Sequence, residues 1–158
     1  TMYAATDKDF ATAYYHWFFL IQPADFPERM LANNTRDYLR HTFAAWSKTE
    51  GAFDTAILTH YGEAWFDPAA IHAACEDYRA AATIDLVHDA ESDAAGVKLA
   101  MPLLALWGSR GTVGRTFDVL AAWREKSAST VTGHAIDCGH FLPEEAPEET
   151  LAALLDFL

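Results

Sequence analysis

The sequence predicts an α/β fold in which a helical half precedes a short β-α-β-α half. Apolar residues recur at helical spacing up to about Thr83, whereas beyond that point short continuous apolar runs alternate with amphipathic stretches. We therefore divide the chain into a helical domain, 1–85, and a sheet-containing domain, 86–158. With 158 residues, of which 51% are hydrophobic, the chain can bury a substantial core.

Five segments of the first half show helical spacing: 8–20, 27–31, 35–47, 53–61 and 68–82. The last has the strongest start signal, because Asp67 can cap its first turn and Pro68 suits the first helical position. We expect Gly62 to end the fourth helix. No segment of this half alternates as a strand does, so we predict that the half is all-helical.

The second half contains two apolar runs that fit strands, 101–107 and 131–136, and each is followed by a predicted helix, 116–126 and 146–158. The first run is continuously apolar, as expected of a strand buried on both faces of a parallel sheet. A polar connector, 88–98, precedes it. Because two parallel strands alone leave long unpaired edges, we expect this chain to be the C-terminal half of a larger protein.

The charge balance argues against two classes of partner. The net charge is −12, and the 11 Lys and Arg residues are scattered, so neither nucleic acid nor an anionic membrane surface is an expected partner. Cys75 and Cys138 are the only cysteines, and we expect both to be reduced in a cytoplasmic protein. No Cys/His spacing fits a zinc site, so we predict neither a metal nor a cofactor.

A histidine loop follows the second predicted strand. Gly139 allows a sharp turn before His140, and Pro143 then marks a helix whose first turn is acidic. Loops at the carboxyl ends of strands are where open α/β sheets build their sites. We therefore interpret His140 as a candidate catalytic base.

The chain offers His140 no recognisable nucleophile. A Gly-x-Ser-x-Gly elbow is absent, and none of the five serines lies on a strand–elbow–helix pattern. Cys138 is too close to His140 in sequence to meet it readily, and we expect it to be buried filler. The segment 108–114, which follows the first strand, contains no carboxylate to orient the imidazole. His140 is therefore only one part of a catalytic triad.

A second candidate site lies in the helical half. The segment 14–20 is dense in aromatic rings, and His16 and Trp17 supply two ring N–H donors there. Tyr78 adds a phenol from another helix. These three donors could cradle a small anion in an apolar pocket, although aromatic stripes on helices more often pack in a core.

Four segments of the chain follow the order and spacing of the haloacetate dehalogenases, which are α/β hydrolases with a helical cap. They are Tyr-His-Trp-Phe-Phe-Leu-Ile-Gln-Pro at 15–23, Cys-Glu-Asp-Tyr-Arg-Ala at 75–80, Leu-Trp-Gly at 106–108 and Cys-Gly-His-Phe-Leu-Pro-Glu-Glu-Ala-Pro at 138–147. The resemblance implies that 1–85 is the cap and 86–158 the C-terminal part of the hydrolase core. It also implies a homodimer.

The same resemblance implies a set of roles. In that family an aspartate displaces the halide to form an ester, and a histidine activates the water that hydrolyses it. His140 would be that base, and Trp46 would line the pocket. His16, Trp17 and Tyr78 would stabilise the halide, so a small haloacid and a halide ion are the expected partners. The nucleophilic aspartate, its arginines and the orienting aspartate have no matching positions in this chain.

Two other functions stay open at this stage. An epoxide hydrolase shares the same general motifs, but it usually places tyrosines in its cap, and the pair His16–Trp17 argues against it. A non-catalytic helical interaction module would explain the missing nucleophile. The remaining histidines of the helical half, His41, His60 and His72, show no ligand-like spacing.

Overall fold

The computed structural model describes residues 6–158. The elements in chain order are α1 Lys8–Ala13, α2 Tyr15–Leu20, α3 Phe26–Ala32, α4 Thr35–Trp46, α5 Thr55–Trp65, α6 Pro68–Ala82, α7 Ile84–Ala94, β1 Leu103–Gly108, α8 Val113–Thr116, α9 Val119–Lys126, β2 Val131–Ile136, α10 Leu142–Glu145 and α11 Pro147–Phe157. The helical first half and both strands are confirmed. The domain boundary at residue 85 stays a prediction.

The chain forms two compact units. The first unit comprises the residues up to Thr42 together with Asp54–Ala95, and the second comprises Phe43–Phe53 together with Gly96–Leu158. Helices α1 to α3 and α5 to α7 therefore lie in the first unit, and both strands lie in the second. No helix within residues 6–158 is both long enough and apolar enough to cross a bilayer.

Three details of the helical half differ from the sequence prediction. Tyr14, which is buried, leaves helical geometry with φ −115° and ψ 36° and divides the predicted first helix into α1 and α2. Gly62 is buried inside α5 instead of ending it, close to the ring of Phe66. Helix α7 takes up most of the expected polar connector. Its apolar residues do recur at helical spacing, but none is buried, and Ile84 and Val87 are about half exposed.

The core of the first unit joins three of its helices. Leu20 of α2, Leu31 of α3, and Ile71 and Cys75 of α6 are all buried against one another. Helix α6 begins as predicted, since the Asp67 side chain accepts a hydrogen bond from the backbone N–H of Ala69. The apolar stripe of α6 is thus the surface on which the rest of the unit packs.

An ion pair at the edge of this core connects α3 to α6. The Arg79 guanidinium donates two parallel hydrogen bonds to the Glu28 carboxylate, at 2.8 and 3.1 Å, and a third at 2.9 Å to the Gln22 carbonyl. The Arg79 and Glu28 side chains are only 15% and 12% exposed. The hydrogen bonds from Arg79 lower the pKa of Glu28 to about 2, against the effect of its burial.

The second unit is built on a two-stranded parallel sheet. The register runs from Leu103 opposite Val131 to Gly108 opposite Ile136. Helix α9 packs against both strands and α11 against β1. Only Ala105 and Gly108 of β1 are buried, so the expected strand buried on both faces is not realised within the described residues. Among those residues β1 has only β2 as a strand neighbour, which leaves one edge and much of one face open.

Replacing Glu28 by Gln should lower the free energy of unfolding by about 2 kcal/mol at pH 7, since a hydrogen bond to a charged group contributes about 1.5–3 kcal/mol. The folded-state pKa of Glu28 lies below its unfolded value, so this contribution is complete above pH about 4.5 and is lost as the pH falls toward about 2.

Urea denaturation at pH 7 and pH 3, followed by far-UV circular dichroism, measures the difference. Glu63→Gln is the matched control, because Glu63 is exposed on α5. A Glu28→Gln effect as large at pH 3 as at pH 7 would contradict the assignment.

Candidate active site

His140 lies in the loop that joins the carboxyl end of β2 to α10. Its backbone N–H donates a 3.1 Å hydrogen bond to the carbonyl oxygen of Trp46, at the end of α4. The ring centroids of Trp46 and His140 are 5.0 Å apart, and the centroid of the Phe141 ring lies 5.1 Å from that of the imidazole. The structure therefore brings together His140 and Trp46, two of the residues predicted for the site.

The aromatic surroundings of His140 change its acidity. Packing against Trp46 and Phe141 removes part of the imidazole from water, and this desolvation lowers the pKa of His140, while the negative charge of Glu145 opposes the shift. The imidazole still has an exposed edge. His140 is thus neutral at pH 7 and able to accept a proton, as a general base requires.

Glu145 holds this loop from inside. Its side chain is buried, and its two carboxylate oxygens accept three backbone N–H groups: Lys48 at 2.7 Å, Gly139 at 2.9 Å and Phe141 at 3.0 Å. Burial alone raises the pKa of Glu145, but the three hydrogen bonds outweigh it and leave the pKa below its usual value. Glu145 therefore anchors two segments from inside, the loop 139–141 and the turn that contains Lys48.

The sequence prediction missed this role. It placed the acids that follow Pro143 at the positive end of a helix dipole and gave them no contact with the histidine loop. Glu144 and Glu145 look alike in sequence, yet only Glu145 is buried. The signal in the sequence was a glutamate in the first turn of the helix marked by Pro143. From that position a carboxylate can reach back to the amides of the preceding loop, much as a capping-box residue does.

Arg110 ties the same loop to the strand before it. Its guanidinium donates 2.8 Å hydrogen bonds to the carbonyl oxygens of Lys48 and Asp137 and forms an ion pair with the Asp137 carboxylate. Gly108, at the end of β1, lets the loop come close, since a Cβ there would lie 1.6 Å from the Gly139 carbonyl oxygen. The ends of both strands are therefore in direct contact beside His140.

A cavity of about 440 Å³ opens along β1 to the imidazole of His140. Its wall is mostly apolar and includes Leu104, Leu106, Trp107, Trp123 and Leu142. Cys138, on the far side of the loop, is free and fully buried, and burial raises the pKa of its thiol. The expected role of Cys138 as buried filler is confirmed, and His140 is the group that this cavity offers for chemistry.

The first unit contains the other predicted site residues. The ring of Tyr78, on α6, lies 5.5 Å from that of His16 and 5.9 Å from that of Trp17, and both neighbours meet it nearly edge-on. Tyr14 completes the cluster, 5.4 Å from His16 and stacked on Trp17. His16 is only 2% exposed. The geometry thus joins three potential donors from α2 and α6 in one aromatic cluster.

The structure also gathers one group with metal-ligand chemistry. Ligand atoms of Glu28, His72 and Glu76 lie within 4.8 Å of one another. Arg79 bonds to both carboxylates, so a positive charge already occupies the position that a cation would need. The sequence had shown His72 no partner, and the structure gives it Glu28 at 3.2 Å. We assign no metal to this group.

Comparison with known proteins identifies the fold. A curated fluoroacetate dehalogenase from Burkholderia sp is 33% identical over 158 residues, which are 99% of this chain and 51% of that protein. A crystal structure from Nostoc sp, described as an α/β hydrolase, is 52% identical with a TM-score of 0.92, over 99% of this chain and 53% of that one. The chain carries part of an α/β-hydrolase fold.

The α/β-hydrolase relatives also include a soluble epoxide hydrolase from Corynebacterium sp, 28% identical over 90% of this chain and 48% of that protein. No family model matches the chain. The chain spans about half the length of the curated relatives it matches. It is a homologue of fluoroacetate dehalogenase, so the resemblance seen in its four motifs is confirmed.

Replacing Trp46 by Ala should raise the pKa of His140 toward its ordinary value. The indole ring shields the imidazole from water, and shielding disfavours the imidazolium form, so its removal favours protonation. The measurement is an NMR pH titration of the imidazole Hε1 proton, assigned by comparison with His140→Asn. Phe66→Ala is the control, because it removes a half-exposed aromatic ring of the first unit, which does not line the cavity beside His140. A pKa that falls in Trp46→Ala would contradict shielding by this ring.

Proposed function

We propose that this chain supplies the water-activating base and the halide pocket of a haloacetate dehalogenase. The overall reaction hydrolyses a carbon–halogen bond, converting a haloacetate and water into glycolate, a halide ion and a proton. The observation that carries the proposal is the convergence of His16 and Trp17 on Tyr78, which gathers three neutral donors from two helices. The 33% identity to fluoroacetate dehalogenase supports it.

In the first proposed step, an aspartate outside these 158 residues attacks the carbon that bears the halogen. A carbon–oxygen bond forms, the carbon–halogen bond breaks, and its electron pair leaves with the halide. His16, Trp17 and Tyr78 donate hydrogen bonds to the departing ion, where negative charge develops. Because the three donors are neutral, they bind the uncharged halogen of the substrate weakly and the halide strongly, which favours the transition state.

In the second step, His140 takes a proton from a water molecule as the water oxygen attacks the ester carbonyl. Collapse of the tetrahedral intermediate releases glycolate and regenerates the aspartate. The lowered pKa keeps the imidazole neutral, and therefore basic, near pH 7. Trp46 packs against that imidazole and shapes the pocket wall. A homodimer, which the family resemblance implies, and a cytoplasmic location, which fits two reduced cysteines, complete the proposal.

An epoxide hydrolase is the second candidate, because a soluble epoxide hydrolase is among the relatives. Tyr78 would then protonate the epoxide oxygen, and His16 and Trp17 would have no evident role. A cluster of three donor-bearing rings fits a halide ion, which accepts several hydrogen bonds, better than an ether oxygen that needs one acid. Parallel assays with fluoroacetate and with styrene oxide separate the two candidates.

Replacing Tyr78 by Phe, in the protein as its gene encodes it, should slow fluoride release from fluoroacetate by roughly 100-fold, the scale of losing one charge-stabilising donor. Chloride release from chloroacetate should fall less, because chloride is the better leaving group and needs less stabilisation. Halide electrodes measure both rates. Tyr61→Phe removes the same hydroxyl from α5 as a control. Equal losses on the two substrates would contradict a halide-binding role.

The purified 158-residue chain should show no dehalogenation above background. His140 can activate water, but no ester forms unless a carboxylate first displaces the halide, and no aspartate of this sequence lies on a strand–elbow–helix motif. A fluoride electrode in a fluoroacetate solution is the direct test, with His140→Asn as the control. Steady multiple-turnover release that His140→Asn abolishes would show that these residues contain a nucleophile.

A further inference from the structure

We propose that Glu145 is a positioning residue that fixes His140 for its reaction, an inference that rests on the proposed role of His140 as the base. Three consecutive amides of the loop are held. Those of Gly139 and Phe141 donate to the Glu145 carboxylate, and that of His140 donates to the Trp46 carbonyl. The backbone is therefore fixed directly before, at and after the histidine.

The same carboxylate also binds the segment that carries Trp46. Its Oε2 atom accepts the N–H of Lys48 at 2.7 Å as well as that of Gly139 at 2.9 Å. Trp46 and His140, whose rings are in contact, are thus held by one common group. The distance between the indole and the imidazole depends on Glu145 in addition to the direct hydrogen bond between their backbones.

The site requires a glutamate and a glycine together. A Cβ on Gly139 would lie 2.8 Å from Glu145 Oε1 and 2.4 Å from the Trp46 carbonyl oxygen, so the carboxylate could not reach the loop past any other residue. A glutamine at 145 has a single acceptor oxygen, and its NH₂ group would face a backbone N–H. Because the site is buried, an N–H left without an acceptor there is costly.

Glu145 also contributes charge. Its negative charge favours the imidazolium that His140 becomes when it takes the proton from water. Arg110 and Asp137 of the adjoining loops are paired with each other, so their fields largely cancel, and the Lys48 ammonium donates to the Ala45 carbonyl oxygen. Glu144 is the neighbouring carboxylate on α10. Glu145 therefore acts on His140 both through the backbone and through its field.

The test compares Glu145→Gln and Glu145→Asp with Glu148→Gln. Glu148 is an exposed carboxylate in the first turn of α11, so it controls for the loss of a charge near the loop. NMR on the protein as its gene encodes it reports three quantities. They are the exchange rates of the Gly139 and Phe141 amides, the ring-current shift that Trp46 imposes on the His140 Hε1 proton, and the pKa of His140.

In Glu145→Gln we expect faster exchange of both amides, a reduced ring-current shift and a lower pKa of His140, since the favourable charge is lost. In Glu145→Asp the charge stays but the reach is shorter, so the amides and the ring-current shift should change while the pKa falls less. Glu148→Gln should match the unmodified protein. If Glu145→Gln does not fold, Glu145→Asp decides the question alone.

Kinetics separate this inference from the proposed function. If His140 activates water, Glu145→Gln should keep the initial burst of halide but lower steady turnover roughly tenfold or more, with the covalent aspartyl ester accumulating in mass spectra. If the protein as its gene encodes it releases no halide, the proposed function is refuted, and the NMR results still decide the positioning role. Unchanged amide exchange and ring-current shift in both Glu145 variants would overturn the inference.

Discussion

A buried carboxylate organises the second unit around its histidine. Glu145 lies 97 residues from Lys48 in sequence, yet its carboxylate accepts the backbone N–H of Lys48 as well as those of Gly139 and Phe141. The three hydrogen bonds compensate for the burial of its charge, and the anion is the form that they stabilise. The glycine at 139 follows from the same requirement, because a Cβ there would lie 2.8 Å from the Glu145 carboxylate.

The two units solve the burial of charge differently. In the first unit, Glu28 meets a guanidinium whose planar fork satisfies both of its oxygens, so its negative charge directly faces a positive one that Glu76 shares. In the second, Glu145 is bound by uncharged donors, three backbone amides and the Thr49 side chain, and keeps its negative charge. That difference has a chemical consequence. An ion pair such as Glu28–Arg79 can only hold helices together, whereas an uncompensated carboxylate can also affect the basicity of a neighbouring imidazole.

Local signals explain which features could be predicted from the sequence. Asp67 and Pro68 mark the start of α6, and the apolar runs mark both strands, because each signal is contained in a few adjacent residues. Helix α7 was missed because the polar residues of 88–93 are typical of a connector, although apolar residues at helical spacing precede them. The motifs located His140 and the three ring donors. The role of Glu145 could not be predicted, because it depends on contact with the distant Lys48. Only the folded loop shows that Glu145 is buried and that Glu144 is not.

Neutral donors suit the proposed chemistry better than cations would. A lysine or arginine in place of His16 or Trp17 would bind the substrate carboxylate in the ground state as readily as it binds a departing halide, and such uniform binding does not speed the chemical step. A buried cation would also cost solvation energy unless it were paired. Aromatic N–H and O–H groups avoid both costs. Their rings pack as apolar groups, with His16 only 2% exposed, and their hydrogen bonds strengthen only where negative charge develops on the leaving halide. The aromatic density of α2 therefore serves the packing of the first unit and its proposed selectivity for an ion at the same time.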